Sequence, residues 1–137
     1  MSAWLAPRSN NKDTANGAIG AALGMAVTWL VCDWLLDGTA PLVVMSMGAS
    51  AVLLFATPNS PLAQPVPVIA AHVVGALVGI ASAKLINNTA LALGVAVGVT
   101  AGVIIRFGIT HPPSGGTALS AVVGGEAITN LGWEFIW

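Results

Sequence analysis

The fold is decided by the stretch Ile109-Thr-His-Pro-Pro-Ser-Gly-Gly-Thr-Ala-Leu-Ser-Ala-Val-Val-Gly-Gly125. Long apolar segments precede it, so we expect the stretch to lie at or inside a membrane. Each X-Pro step disfavours helix in the residue before it, so His111 and Pro112 cannot continue the preceding helix. A proline suits the first turn of a new helix, because its missing N–H would have no partner there. The pattern predicts a short helix near Ser114, with an apolar run too short to span a bilayer.

The start of this short helix is expected to attract an anion. Ser114 can act as its N-cap, and Gly115 and Gly116 would leave the first backbone N–H groups uncovered. Uncovered amides at a helix N-terminus favour negative charge. In lipid, irregular backbone survives only where it is buried in protein or lines a watery cavity. We therefore predict a half-helix whose N-terminus faces a hollow within the bilayer.

The composition predicts an integral membrane protein. Of the 137 residues, 56% are hydrophobic and 7% are charged, whereas soluble domains carry about 25% charged residues. The formal net charge of −1 favours a lipid bilayer over nucleic acid as partner. The sequence shows no Cys/His metal cluster, no phosphate-binding glycine loop tied to a lysine and no nucleophile–base pair. We expect neither enzyme activity nor a cofactor.

The fold class predicted along the chain is all-α transmembrane. Residues 1–16 are polar and form an expected N-terminal arm, and residues 17–137 form the expected transmembrane domain. A hydrocarbon core needs about 20 apolar residues per helix, and the segments of about that length are 18–36, 68–86 and 90–107. A fourth apolar segment, 42–56, is too short for an ordinary span. Tryptophans near predicted segment ends fit an interfacial position: Trp29, Trp34, Trp133 and Trp137.

Basic residues predict the orientation of the chain. Cytoplasmic loops are enriched in lysine and arginine. With a cytoplasmic N-terminus, Arg8, Lys12 and Arg106 fall on the cytoplasmic side and only Lys84 falls outside. We therefore expect the N-terminus to be cytoplasmic.

Two short matches predict an internal duplication. Ala22-Leu-Gly-Met-Ala-Val27 matches Ala92-Leu-Gly-Val-Ala-Val97 at an offset of 70, and Gly48-Ala-Ser-Ala-Val52 matches Gly115-Gly-Thr-Ala-Leu119 at an offset of 67. Each unit would contain a glycine-rich spanning helix followed by a short half-helix. Three crossings in the first unit would invert the second.

The duplication predicts an inverted-repeat helical bundle. Unit one covers about 17–88 and unit two about 89–137, and unit two lacks its last helix. Either the chain is a fragment, or a neighbouring subunit in a homo-oligomer supplies the missing surface. Paired short segments in the two halves of a transporter point to a binding site near the midplane.

Three motifs resemble the HPP family of small integral membrane proteins. They are Gly48-Ala-Ser-Ala-Val-Leu-Leu-Phe-Ala56, Ser60-Pro-Leu-Ala-Gln-Pro65 and His111-Pro-Pro-Ser-Gly-Gly-Thr-Ala-Leu119, in family order. Family members from cyanobacteria and plant plastids are implicated in nitrite transport. The resemblance therefore implies a nitrite transporter in a bacterial inner membrane or a plastid inner envelope.

Two histidines and an arginine are candidate binding residues. His111 is read as an anion donor or proton relay, because ionisable groups at membrane depth are usually functional; the alternative is a histidine that caps the preceding helix and locks the Pro-Pro turn. Arg106 pairs with the anion through its planar fork or is an interfacial arginine that sets topology. His72 is read first as a satisfied interhelical histidine and second as a ligand.

The hypothesis is a transporter or channel for nitrite or a similar small monovalent anion. Opposed half-helix N-termini would bind the anion, and Ser50 and Thr117 occupy equivalent positions in the two units. The full predicted site is Gly48, Ala49, Ser50, His72, Arg106, His111, Ser114, Gly115, Gly116 and Thr117. The alternatives are a non-transporting membrane subunit that packs against a partner, and a proton or cation carrier that uses Asp33 and Glu126.

Overall fold

The computed structural model describes residues 9–36 and 40–124, and within these ranges it contains only helices, turns and short connections. The helices are α1 Asn11–Leu36, α2 Ala40–Ala56, α3 Pro65–Leu85, α4 Thr89–Arg106 and α5 Ser114–Val123, with a 3₁₀ turn at Pro61–Ala63 between α2 and α3. The predicted all-α fold is confirmed. The predictions for Glu126, Trp133 and Trp137 lie outside the described residues.

Among the described residues, three helices are long and apolar enough to cross a membrane. They are Asn11–Leu35, Pro65–Leu85 and Thr89–Arg106. These match the three long segments predicted from the sequence, while α2 and α5 are shorter. The protein is therefore an integral membrane protein built from long and short helices.

Helix α1 begins earlier than the sequence predicted. Asn10 precedes its first turn, and the Asn10 Oδ1 atom accepts a hydrogen bond from the Asp13 amide at 2.8 Å. The Asn10 side chain in turn donates to the Asp13 carboxylate at 2.8 Å. These reciprocal bonds satisfy a first-turn donor and stabilise a helix start in a polar stretch. Residues 11–16, predicted as part of a polar arm, are therefore the first turns of α1.

The short helix α5 lies at the centre of the bundle, where it packs against α2, α3 and α4. Its contact with α3 is close, because two glycines of α3 face the α5 backbone. A Cβ on Gly75 would overlap the Ser114 carbonyl oxygen, and one on Gly79 would lie 2.6 Å from the Ala118 carbonyl oxygen. This glycine pair, spaced four residues apart, therefore permits the close packing of α3 and α5.

The other two glycine series differ from each other. In α1, the Phe55 ring of α2 occupies the space that a Cβ on Gly20 or Gly24 would need. The α4 series, Gly94, Gly98 and Gly102, has no neighbouring atom within 4 Å of such a Cβ among the described residues. Packing within the described chain therefore explains the glycines at four-residue spacing in α1 and α3, but not those in α4.

The element order agrees with the predicted duplication as far as the described residues extend. A long helix followed by a short one occurs twice, as α1–α2 and as α4–α5. The inverted relation between the two units stays a prediction.

Candidate functional site

The chain reaches the site through a sharp end to α4. Gly108 adopts a left-handed conformation with φ 67°. The Ile109 amide donates to the Ile104 carbonyl at 3.0 Å, and the Gly108 amide donates to the Ile105 carbonyl at 3.2 Å. This pair of bonds is the Schellman arrangement, which ends helices at glycine. His111 follows three residues later with 0% of its surface exposed.

Ser50 of α2 lies between the two imidazoles. Its Oγ atom is 2.8 Å from His72 Nε2 and 2.9 Å from His111 Nε2. The two ring centroids are 5.1 Å apart with planes tilted by 60°. The sequence separates these residues by 22 and 61 positions, so the fold brings α2, α3 and the His-Pro-Pro turn to one point.

The network continues beyond both rings. His72 Nδ1 lies 2.6 Å from Thr117 Oγ1 of α5, and the Thr117 hydroxyl donates to Ser46 Oγ at 3.1 Å. At the other end, His111 Nδ1 lies 2.7 Å from the Leu62 carbonyl oxygen. We call the set Ser46, Thr117, His72, Ser50 and His111, together with the Leu62 carbonyl, the histidine–hydroxyl chain.

The two hydroxyls that the predicted duplication places at equivalent positions both contact the His72 side chain. Ser50 and Thr117 are 67 residues apart, as are the matched segments. Each hydroxyl contacts a different nitrogen of the His72 ring. His72 is thus interhelical, as its first reading required, and it also joins the two predicted site hydroxyls.

The first predicted half-helix N-terminus is wrong. Gly48, Ala49 and Ser50 lie inside α2, which runs without a break from Ala40 to Ala56. No residue between 42 and 48 interrupts a helix, and Pro41 falls in the first turn, where a missing N–H costs nothing. The prediction of a helix start at Gly48 fails because glycine within an apolar helix only weakens the helix and does not end it.

The second predicted N-terminus lies at Ser114 as expected, but its amides are not uncovered. The amides of Ser114, Gly115 and Gly116 donate to the carbonyls of His111, Pro112 and Pro113, at 3.1, 3.1 and 2.9 Å respectively. Ser114 does not cap the helix; its hydroxyl donates to the His111 carbonyl at 2.8 Å. The tight Pro-Pro turn aligns these carbonyls with the amides. These backbone amides are therefore not available to a ligand, and any ligand at this site would have to contact side chains instead.

A cavity of about 520 Å³ lies between α2 and α5. Ala49 and Ser46 border it from α2, and Gly116 and Ser120 border it from α5. Gly116 permits a close approach there, because a Cβ would lie 3.2 Å from Ser46 Cβ. The predicted site segments therefore share a hollow, which adjoins the Ser46 end of the histidine–hydroxyl chain.

Several predicted residues lie apart from the network. Arg106 is exposed at the end of α4 and makes no hydrogen bond to the histidine–hydroxyl chain. Gly48 and Gly115 are half-buried, and within the described part of the chain no atom lies within 4 Å of the position that a Cβ would take. Asp33, proposed for a cation carrier, is exposed near the end of α1, which packs on α2.

Sequence reasoning missed two members of the network. Ser46 lies four residues before Ser50, hence on the same face of α2, and this spacing could have identified it. Leu62 acts through its backbone carbonyl, which leaves no signal in the side-chain pattern. Within residues 9–36 and 40–124, no group of three histidine, cysteine or acidic residues could hold a metal ion.

Comparison with known families agrees with this architecture. A profile described as the HPP transmembrane region matches residues 6–137. The chain belongs to the HPP family. The histidine–hydroxyl chain thus lies within an HPP transmembrane region, and His111 begins the tripeptide His111-Pro112-Pro113.

Two relatives of the HPP chain come from Dictyostelium discoideum, and both are described as transmembrane proteins. One is 37% identical over 95 residues, covering 66% of this chain and 33% of the relative. The other is 40% identical over 85 residues, covering 59% of this chain and 27% of the relative. The HPP chain therefore aligns with about a third or less of each relative's length. No solved structure matches the sequence.

Proposed function

We propose that this HPP protein is a transporter for a small monovalent anion such as nitrite, and that the anion binds at the histidine–hydroxyl chain and the adjoining cavity. The observation that carries the proposal is the pair of imidazoles joined by Ser50 in the interior of a membrane protein. Ionisable side chains are expensive within a bilayer, and in such positions they usually serve a transported ion.

The charge of the site favours an anion. Among the described residues, no carboxylate or basic side chain hydrogen-bonds to either imidazole, and Asp13 and Asp33 are both exposed on α1. The polar imidazoles and hydroxyls, with no acidic side chain bonded to them among the described residues, favour a small anion in the adjoining cavity. A site with few polar groups holds the ion weakly enough for release.

The test is nitrite uptake into liposomes that contain the purified chain. Wild-type protein should carry nitrite faster than empty liposomes. His111→Gln removes the ionisable ring and should lower uptake by roughly a hundredfold, as loss of a positioned acid–base group does elsewhere. Thr100→Val is the matched control, since it removes a buried hydroxyl that lies outside the network.

The result that would contradict the proposal is equally clear. Uptake equal to that of empty liposomes, from protein that is folded by circular dichroism, would reject transport of nitrite. Unchanged uptake by His111→Gln would reject the proposed site and leave transport standing.

A second candidate is a non-transporting membrane subunit. It is favoured by the open face of α4, where Gly94, Gly98 and Gly102 meet no described atom, because small residues let a partner helix approach closely. Under this candidate, wild-type liposomes would take up nitrite no faster than empty liposomes, and Gly98→Leu would disrupt an assembly that the wild type forms. Size-exclusion chromatography in detergent combined with the uptake assay separates the two candidates.

A further inference from the structure

We infer that the histidine–hydroxyl chain is a binding site for one proton, that Ser50 passes this proton between the two imidazoles, and that the proton enters together with the anion. The inference rests on the proposed anion transport and names its coupling ion. It follows from counting the hydrogens that the network needs.

The Leu62 carbonyl determines which nitrogen of His111 carries a hydrogen. A carbonyl oxygen can only accept, so His111 Nδ1, 2.7 Å away, must carry a hydrogen. A neutral imidazole has a hydrogen on one nitrogen alone. In neutral His111, Nε2 is therefore an acceptor and takes the hydrogen of the Ser50 hydroxyl.

The Thr117 hydroxyl determines which nitrogen of His72 carries a hydrogen. This hydroxyl has a single hydrogen, which it donates to Ser46 Oγ at 3.1 Å. The 2.6 Å contact between Thr117 Oγ1 and His72 Nδ1 then needs a hydrogen on His72 Nδ1. In neutral His72, Nε2 is an acceptor and also requires the hydrogen of Ser50.

Ser50 cannot satisfy both demands, because its hydroxyl has one hydrogen and faces two Nε2 atoms at 2.8 and 2.9 Å. While Thr117 donates to Ser46, one imidazole donates to Ser50 Oγ and carries hydrogens on both nitrogens, so the network then holds one positive charge. When the Thr117 hydroxyl turns its hydrogen from Ser46 to His72, every bond from Thr117 to Leu62 runs in one direction and the network is neutral. The same heavy atoms therefore accommodate a neutral state and a state with one added proton.

The extra proton can move without rearrangement of heavy atoms. His72 Nε2 gives its proton to Ser50 Oγ while Ser50 gives its own hydrogen to His111 Nε2. One N–H and one O–H bond break, and one O–H and one N–H bond form, so the charge passes from His72 to His111. His72 is half-buried and His111 is fully buried, so the transfer leads from the more accessible ring inward.

The positive charge needs a mobile partner. The charged residues of the described chain lie exposed on α1 or at helix ends: Lys12, Asp13, Asp33, Lys84 and Arg106. From α2 and α5, hydroxyls face the rings, and from the 3₁₀ turn a carbonyl does. An isolated buried charge is strongly unfavourable, whereas a bound anion in the adjoining cavity would neutralise it. Proton and anion should therefore bind together.

The first test measures stoichiometry. Liposomes containing the full chain and a lumenal pH-sensitive dye receive a nitrite gradient, and empty liposomes correct for leakage of nitrous acid. We expect one proton to enter with each nitrite, at a rate that an imposed membrane potential does not change. Nitrite uptake without protons, at a rate set by the potential, would overturn the coupling and leave anion transport intact.

The second test does not depend on transport. Nitrogen-15 NMR of labelled histidines in wild-type protein should show both rings changing together as pH falls, with uptake of one proton between them. Uptake of two independent protons would overturn the inference even if no nitrite flux were found. Absence of nitrite flux alone would instead reject the proposed function.

Variants at Ser50 separate relay from packing. Ser50→Ala should lower coupled uptake by roughly a hundredfold and abolish the joint change of the two rings. Ser50→Thr keeps the hydroxyl and should restore both readouts, while Thr100→Val should affect neither. Rings that still change together in Ser50→Ala would overturn the role of the hydroxyl.

Discussion

Ser50 joins the two halves of the site through a hydroxyl that is both donor and acceptor. A side chain larger than threonine would separate the two imidazoles, and an apolar one would leave both Nε2 atoms without their partner. Leaving a buried donor or acceptor without its partner costs more free energy than the hydrogen bond contributes when it is made. Loss of the Ser50 hydroxyl would therefore destabilise the protein as well as interrupt the proposed proton transfer. The rescue by threonine distinguishes them.

Thr100 has the opposite character at the residue scale. It lies in α4 with 1% of its surface exposed, and its hydroxyl has no hydrogen-bond partner among the residues that the structure describes. We expect Thr100→Val to raise the free energy of unfolding by about 1 kcal/mol, because the change keeps the shape and removes an unsatisfied polar group. Unfolding in mixed detergent measures the difference.

Thr100→Ala provides the comparison for this prediction. It also removes the hydroxyl, but it leaves space where the γ atoms lay, so it should be less stable than Thr100→Val. A valine variant less stable than wild type would show that the Thr100 hydroxyl has a partner that stabilises the protein.

At the scale of elements, the site depends on how closely α5 approaches α3. Thr117 can reach His72 only because Gly75 and Gly79 let the backbone of α5 lie directly against α3. The ten residues of α5 include buried Ser114, Thr117 and Ser120. The buried residues of α5 are all small, so this helix is held by close backbone contact rather than by large apolar side chains.

Paired glycine variants test this contact. Gly75→Ala should lower stability by about 2 kcal/mol, because the new Cβ meets the backbone carbonyl of Ser114, which cannot move without shifting α5. Gly94→Ala should raise stability by about 0.5 kcal/mol, since the Cβ enters open space and alanine favours helix. Equal effects in a detergent unfolding assay would show that the α3–α5 contact is looser than described.

At the scale of the whole molecule, the proposed function requires a defined orientation. We propose that the N-terminus is cytoplasmic, as the basic residues predict, in the cell membrane of a bacterium or the inner envelope of a plastid. Helices α3 and α4 are joined by a short turn at 86–88, which would then lie on the opposite side from Ser9.

Cysteine labelling tests the orientation. In a Cys32→Ser background, Ser9→Cys and Asn87→Cys place single thiols at positions that are exposed in the structure. A membrane-impermeant maleimide added to intact spheroplasts should label position 87 and spare position 9. The reverse pattern would show an N-terminus outside, and labelling at both positions would contradict the assignment of the spans.

The sequence predicted the helices better than the site. Apolar length and proline positions placed the three long helices, and the His-Pro-Pro pattern placed the start of α5. The uncovered amides were wrong because the hydrogen bonds of the Pro-Pro turn depend on backbone geometry that residue types do not specify. The meeting of Ser50 with both imidazoles depends on packing among α2, α3 and α5, which spacing along the chain does not reveal.

The acceptor for His111 is a main-chain oxygen in the turn at Pro61–Ala63. A peptide carbonyl persists whichever residue occupies position 62, so natural variation there would leave the protonation pattern of the ring untouched. What must be inherited is the path of the backbone, which Ser60 holds by accepting from the Leu62 amide. In this molecule, a connection between helices governs the chemistry of a ring almost fifty residues away.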